Sequence, residues 1–241
     1  FTMIIIFTIF LYFFSSYVIK KSIFFFKKHS IIDLPTDRSN HKIPTPKCAG
    51  LIIIPIVVIS TIIFFYFKEK THHEWISILF LSFFLGIISF IDDLKNLSVK
   101  LRMLSQIFIV SLSLLVYSES ISADLLSLPV LYDKYFPLIT TLLFLFFLIS
   151  WIWIINLYNF MDGIDGLTAL QVCTVAICVN LLSIFGYLNE EYQIFSLILF
   201  SVYLAFYKFN KFPAKIFLGD VGSIPSGYLI GFIMISCFLT N

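Results

Sequence analysis

Charge is what this chain of 241 residues has least of: Asp, Glu, Lys and Arg together make up 12% of it, roughly half the share of an ordinary soluble domain. That scarcity excludes a surface solvated in the usual way. The net charge of +2 says little by itself, and no nucleic-acid partner is expected. Cysteine is scarce too. The four residues Cys48, Cys173, Cys178 and Cys237 are scattered without a CxxC pair, which excludes a disulfide framework or thiolate metal centre and leaves them as apolar fillers. The first segment lacks a basic leader and a small-residue cleavage site, so it reads as a span and not a removable signal. The chain opens on Phe1 rather than Met, which leaves room for a natural start upstream. There is no internal repeat, no linker and no sign of a second domain.

Hydrophobic residues are abundant, at 60% of the chain, with 19% aromatic. Apolar runs long enough to cross about 30 Å of hydrocarbon recur along its length. The expected fold is therefore all-α: a single polytopic membrane domain over residues 1–241 with eight spans near 1–19, 49–67, 75–91, 103–117, 137–155, 168–187, 193–207 and 224–240. Two of the spans look short. The loops fall into two sets by parity. Of the sixteen Lys and Arg residues, only Lys68, Lys70 and Lys134 lie in one set. The other thirteen lie in the loops 20–48, 92–102, 156–167 and 208–223, which marks that set as cytoplasmic and puts the N-terminus outside.

Acids sort by type as well. The cytoplasmic loops carry only aspartates (Asp33, Asp37, Asp92, Asp93, Asp162, Asp165 and Asp220), whereas the outer loops carry mostly glutamates. A short, stiff carboxylate suits a positioned metal or phosphate site. The densest stretch is 156–166, Asn-Leu-Tyr-Asn-Phe-Met-Asp-Gly-Ile-Asp-Gly. Asp162 and Asp165 share a face if this stretch opens the sixth helix, where acids suit the positive helix end. Plain N-capping would explain one acid, but not two together with Asn156 and Asn159. Asp92 and Asp93 follow the third span directly; adjacent acids repel, and negative charge opposes the dipole at a helix C-terminus. Residues 209–223 join a basic stretch to a Gly-Asp-x-Gly-Ser turn. In that turn Ser223 is a candidate helix cap, Lys215 a phosphate contact and Asp220 a metal ligand. The first cytoplasmic loop is rich in proline and reads as a structured turn in which His41 and Lys42 could meet phosphates.

Four separated loops thus offer aspartates ringed by Lys and Arg on one membrane face. Magnesium prefers oxygen ligands and commonly bridges one or two carboxylates to substrate phosphates. With basic groups to hold the remaining charge, this is the equipment for phosphoryl transfer, which is mostly positioning and neutralisation. The membrane setting points to a lipid as one substrate. A transporter with a carboxylate pathway would instead place its acids near the bilayer midplane.

In these residues the chain resembles the polyprenyl-phosphate N-acetylhexosamine-1-phosphate transferases. The matching stretches are Asp33-x-Pro35 with Arg38, His41, Pro44 and Pro46; Asp92-Asp93 with Leu97-Ser98, Arg102 and Gln106; Asn156-x-x-Asn159-Phe-Met-Asp162-Gly-Ile-Asp165-Gly; and Asn210-x-x-Pro213-Ala-Lys215-Ile-Phe-Leu-Gly219-Asp220-x-Gly222-Ser223. The Asn-Leu-Tyr-Asn-Phe-Met-Asp-Gly form resembles the branch that initiates O-antigen more than the peptidoglycan translocase.

The resemblance implies a reaction in which a polyprenyl (undecaprenyl) phosphate attacks a UDP-N-acetylhexosamine. The products are a polyprenyl-diphospho-sugar and UMP, with Mg2+ as cofactor, at the cytoplasmic face of a bacterial inner membrane. It also implies the roles of residues. Asp92, Asp93 and Asp220 are the catalytic and metal-binding acids. Asn156, Asn159, Asp162, Asp165, Asn210, Lys215, His41 and Arg102 form the substrate site. A homodimer is compatible with it. Two features depart from the family pattern: Ala49-Gly50 stands where paired glycines are usual, and the chain ends at Asn241 without the further spans and His-rich loop of the family. The second departure predicts either a fragment or a shortened form that binds lipid or a partner without transferring.

Overall fold

The computed structural model of the chain describes residues 2–35, 42–68, 73–95, 97–126 and 136–239. Within them lie helices α1 (Thr2–Lys28), α2 (Gly50–Phe67), α3 (His73–Lys95), α4 (Val99–Leu126), α5 (Phe136–Met161), α6 (Leu167–Ile184), α7 (Glu190–Asn210) and α8 (Asp220–Leu239). Two short strands, β1 (Ile32–Asp33) and β2 (Thr45–Pro46), pair antiparallel, with Ile32 opposite Pro46 and Asp33 opposite Thr45. All eight helices are long and apolar enough to cross a membrane, as the composition requires. Hydrocarbon offers no partner to a peptide group, so each span satisfies its backbone internally by coiling.

The helices are longer than their apolar runs. α4 has 28 residues and α7 has 21, so the two spans that look short by sequence take in residues of their flanking loops. Their polar ends coil too, because a helix that is already nucleated gains one bond per residue added. This shifts several site residues. Asp92 and Asp93 lie in the last turn of α3 and not beyond it, and Asn156 and Asn159 lie near the end of α5. Asp162 and Asp165 sit in the turn between α5 and α6 and do not open the sixth helix, whose N-cap is Gly166 without any side-chain cap. The proline-rich first loop, a structured turn by sequence, also contains the β1–β2 pair.

Two helices form the centre. The spanning window of α8 is 83% buried and that of α7 67%, against 17% for α5. α8 packs on α5 and α3, while α7 packs on α6, α1 and α2. α8 carries Gly227 and Gly231 one turn apart, the small-residue spacing that lets membrane helices approach closely. A methyl group on Gly227 would stand 2.7 Å from the Ile155 Cα of α5. Across the same seam Trp151 Nε1 donates to the Tyr228 carbonyl at 2.8 Å. The Tyr228 hydroxyl in turn lies 2.6 Å from Ser113 Oγ, tying in α4.

Candidate active site

The alternation of eight spans brings to one end of the bundle the starts of α2, α4, α6 and α8 and the ends of α3, α5 and α7. The loop between β2 and α2 is laced to the approach to α8. Phe217 N–H donates to the Pro46 carbonyl at 2.8 Å, and Ala49 N–H and Gly50 N–H donate to the carbonyls of Phe217 and Leu218, each at 3.0 Å. These three bonds fix where α8 begins, and α8 begins with Asp220.

Gly219, just ahead of it, has φ +75°, and a Cβ there would lie 3.2 Å from Cys48 N and 3.3 Å from Asp93 Oδ2. Glycine alone meets both conditions without strain. The free N–H groups of the first turn of α8 are then taken by a carboxylate from another helix. Asp93 Oδ2 accepts Val221 N–H at 3.2 Å and interacts with the Asp220 N–H as well. Asp93 is thus a tertiary cap on α8, placing negative charge where the helix dipole favours it. Ser223, the candidate cap from sequence, lies inside the first turn, and its Oγ accepts from Asn159 Nδ2 at 3.0 Å.

Three side chains meet beside this cap. Asp92 is buried, at 5% exposure. Its Oδ1 accepts Leu97 N–H at 2.7 Å and its Oδ2 stands 3.3 Å from Arg102 Nη1. Asp220 accepts Asn159 Nδ2 on Oδ1 at 2.7 Å, and its Oδ2 stands 3.8 Å from the same Arg102 Nη1. Each carboxylate is therefore held through one oxygen and turns the other towards a common cation. Asp162 lies close by. It interacts with the Gly219 N–H, yet burial pushes its carboxyl well above the usual carboxylate range, and the nearby charges of Asp220 and Asp93 push it the same way.

Other residues singled out from sequence do different work. Asn210 is buried, accepting Gly166 N–H on Oδ1 at 3.0 Å and donating from Nδ2 to the Ile216 carbonyl at 2.9 Å. Asp165 Oδ2 accepts Ala214 N–H at 2.9 Å. These two pin the 211–219 segment against the turn that follows α5. Asn156 donates to Gln106 Oε1 at 2.9 Å, joining α5 to α4. Lys215 is exposed. His41 lies outside the described residues. Cys48, an apolar filler by its sequence context, turns its Sγ towards Asp93 Oδ2 at 3.8 Å. Burial and the Asp93 charge push this thiol up to about 12, outweighing the opposing charge of Lys47. No spacing rule could have found it, since 45 residues separate the two.

Among the described residues no three His, Cys, Asp or Glu side chains converge as a ready-made metal cage. Magnesium does not need one: it keeps waters and substrate phosphate oxygens and takes one or two carboxylates from the protein. Asp92 Oδ2 and Asp220 Oδ2, each braced through its other oxygen, fit that requirement in donor chemistry and support.

Comparison with known proteins identifies the family. The family model of glycosyl transferase family 4 matches residues 75–238. The chain is 27% identical over 231 residues to the phospho-N-acetylmuramoyl-pentapeptide-transferase of Lactococcus lactis subsp. cremoris (strain MG1363), covering 90% of this chain and 68% of that protein. It is 35% identical over 206 residues to the protein of the same name from Aquifex aeolicus (strain VF5), covering 76% and 56%. To the probable undecaprenyl-phosphate N-acetylglucosaminyl 1-phosphate transferase of Bacillus subtilis (strain 168) it is 26% identical over 208 residues, covering 86% and 55%. The chain thus spans between 55% and 68% of the length of these relatives.

Proposed function

The chain belongs to glycosyl transferase family 4, and from that premise we propose that it transfers a sugar 1-phosphate from a UDP-N-acetylhexosamine to a polyprenyl phosphate at a bacterial inner membrane. The observation that carries the proposal is the pair Asp92 and Asp220, each offering one braced carboxylate oxygen beside Arg102 at the end of the bundle. That end is the cytoplasmic one by its Lys and Arg content.

In this reading a lipid phosphate oxygen attacks the β-phosphorus of the nucleotide sugar. The bond between the β-phosphorus and the bridging oxygen breaks, and UMP leaves with that oxygen. A phosphate monoester loses its second proton near pH 6, so the attacking oxygen is already charged at neutral pH. The chain has to orient two anions and hold their charge. Bound magnesium, with Asp92 and Asp220 as its protein ligands, would supply Lewis-acid neutralisation of the diphosphate. Arg102 and Lys215 supply further positive charge to the phosphates, and Asn159 keeps Asp220 in place. Asp162 and the turn around it line the nucleotide-sugar side, and Asp93 holds the start of α8 under the reacting phosphates.

Purified protein in nanodiscs, given undecaprenyl phosphate, Mg2+ and UDP-N-acetylglucosamine, should release UMP. Asp220→Asn should abolish the release. Absence of UMP with every UDP-N-acetylhexosamine supplied would sink the proposal. The form of residues 156–163 favours a simple UDP-N-acetylhexosamine and O-antigen initiation; faster turnover with a UDP-muramoyl-pentapeptide would reverse that preference.

A further inference from the structure

Arg102 and Asp92 both stand where helix electrostatics disfavours them. Arg102 is a cation in the first turn of α4, and Asp92 an anion in the last turn of α3. Each opposes its own helix dipole, by roughly 0.3–1 kcal/mol in exposed settings. The contact between them is not a strong one either. A single guanidinium nitrogen is shared between two carboxylates at 3.3 and 3.8 Å, whereas a tight charge-assisted bond runs at about 2.7–2.9 Å and a strong Arg–carboxylate pair is bidentate. Without that nitrogen, Asp92 Oδ2 and Asp220 Oδ2 would face each other with Asp93 and Asp162 close by. The cluster needs a positive charge at that point, and the one present is loosely held on a side chain 36% exposed.

We propose that Arg102 is a resident placeholder for the divalent cation. In the substrate-free protein its guanidinium holds the Oδ2 atoms of Asp92 and Asp220 towards one point, and a metal ion entering that point displaces it. The role is one of positioning. Arg102 keeps a pair of carboxylates aimed and compatible while the site is empty of metal, and is then released towards the anionic substrate. The inference rests on the reading of Asp92 and Asp220 as the metal pair, but it predicts an effect that reading does not require: Arg102 should compete with the metal.

The test is Mn2+ binding to the intact protein in detergent, without nucleotide or lipid phosphate, followed by electron paramagnetic resonance of free Mn2+. Arg102→Gln should bind Mn2+ about tenfold tighter than wild type at low ionic strength, the scale of one unit charge about 6 Å from a divalent ion at a water-like dielectric near 80. Its metal-free melting temperature should fall, and saturating Mn2+ should bring it back to the wild-type value. Should Arg102→Gln not fold, Arg102→Lys serves, with a compact charge on a flexible stem; its affinity should exceed wild type by about threefold, roughly half the full effect on a logarithmic scale. Equal or weaker Mn2+ binding by the variant would overturn the placeholder and leave the transferase reading standing. A wild-type protein that binds no Mn2+ yet releases UMP would remove the metal pair and the placeholder together.

Discussion

Asp93, at the end of α3, accepts Val221 N–H at 3.2 Å and so caps the start of α8 from another helix. The carboxylate next to it in sequence, Asp92, points instead to Leu97 N–H and Arg102. Successive residues on a helix project about 100° apart, so an adjacent pair can serve two neighbours. Here one acid fixes where a helix begins and the other faces the cluster.

That division predicts a split between substitutions. Asp93→Asn keeps a carbonyl oxygen able to accept Val221 N–H, and should leave thermal stability close to wild type. Asp93→Ala removes the cap and should cost about 1 kcal/mol, read as a lower melting temperature in detergent. Equal stability of the two variants would contradict the cap.

Asn159 braces Asp220 at 2.7 Å, and in the proposed reaction it acts through that carboxylate. Groups that orient a metal ligand typically account for 10–100-fold in affinity or activity. Asn159→Ala should therefore lower UMP release by about that factor, with most of the loss recovered at raised Mg2+.

Burial raises the Asp162 carboxyl from its ordinary value of 3.8. Its neutral form is thus favoured in the folded chain, so between 3.8 and the raised folded value the folded state binds more protons than the unfolded one. By linkage, stability then falls as pH rises. Asp162→Asn should remove this slope: its melting temperature should match wild type near pH 4 and exceed it at pH 8, while transfer is lost. A wild-type melting temperature that climbs with pH between 5 and 8 through this residue would refute the assignment.

Gly219→Ala combines a left-handed backbone with a Cβ 3.3 Å from Asp93 Oδ2. The backbone penalty is roughly 1–2 kcal/mol, and relief of the contact moves Asp220. Both stability and UMP release should drop, and Asp220→Asn added to Gly219→Ala should lower activity no further than Asp220→Asn does.

The Cys48 thiol, held up to about 12, stays protonated at pH 8. It should resist iodoacetamide in the native protein and react after denaturation, as peptide mass spectrometry can follow.

Much of this protein is legible in its residues alone. Eight long apolar runs in a chain that is 12% charged admit one kind of fold, because lipid leaves the backbone no partner but itself. The gathering of aspartates into alternate loops follows from the parity of the spans. Asp92, Asp220, Arg102 and Asn159 do meet, at the distances given above.

What the residues could not tell is which helix lies inside. α5 is among the most apolar and is the least buried, while α8 is less apolar and the most buried. Lipid tails are as apolar as a protein core, so hydrophobicity does not separate the two surroundings. The division of labour among the polar residues was equally hidden. Asn210 and Asp165 bind backbone, Asp93 caps a helix, and Cys48 stands against Asp93. A side chain's partner depends on the direction in which its helix turns it and on which neighbour fills that space, and only the packed bundle decides either.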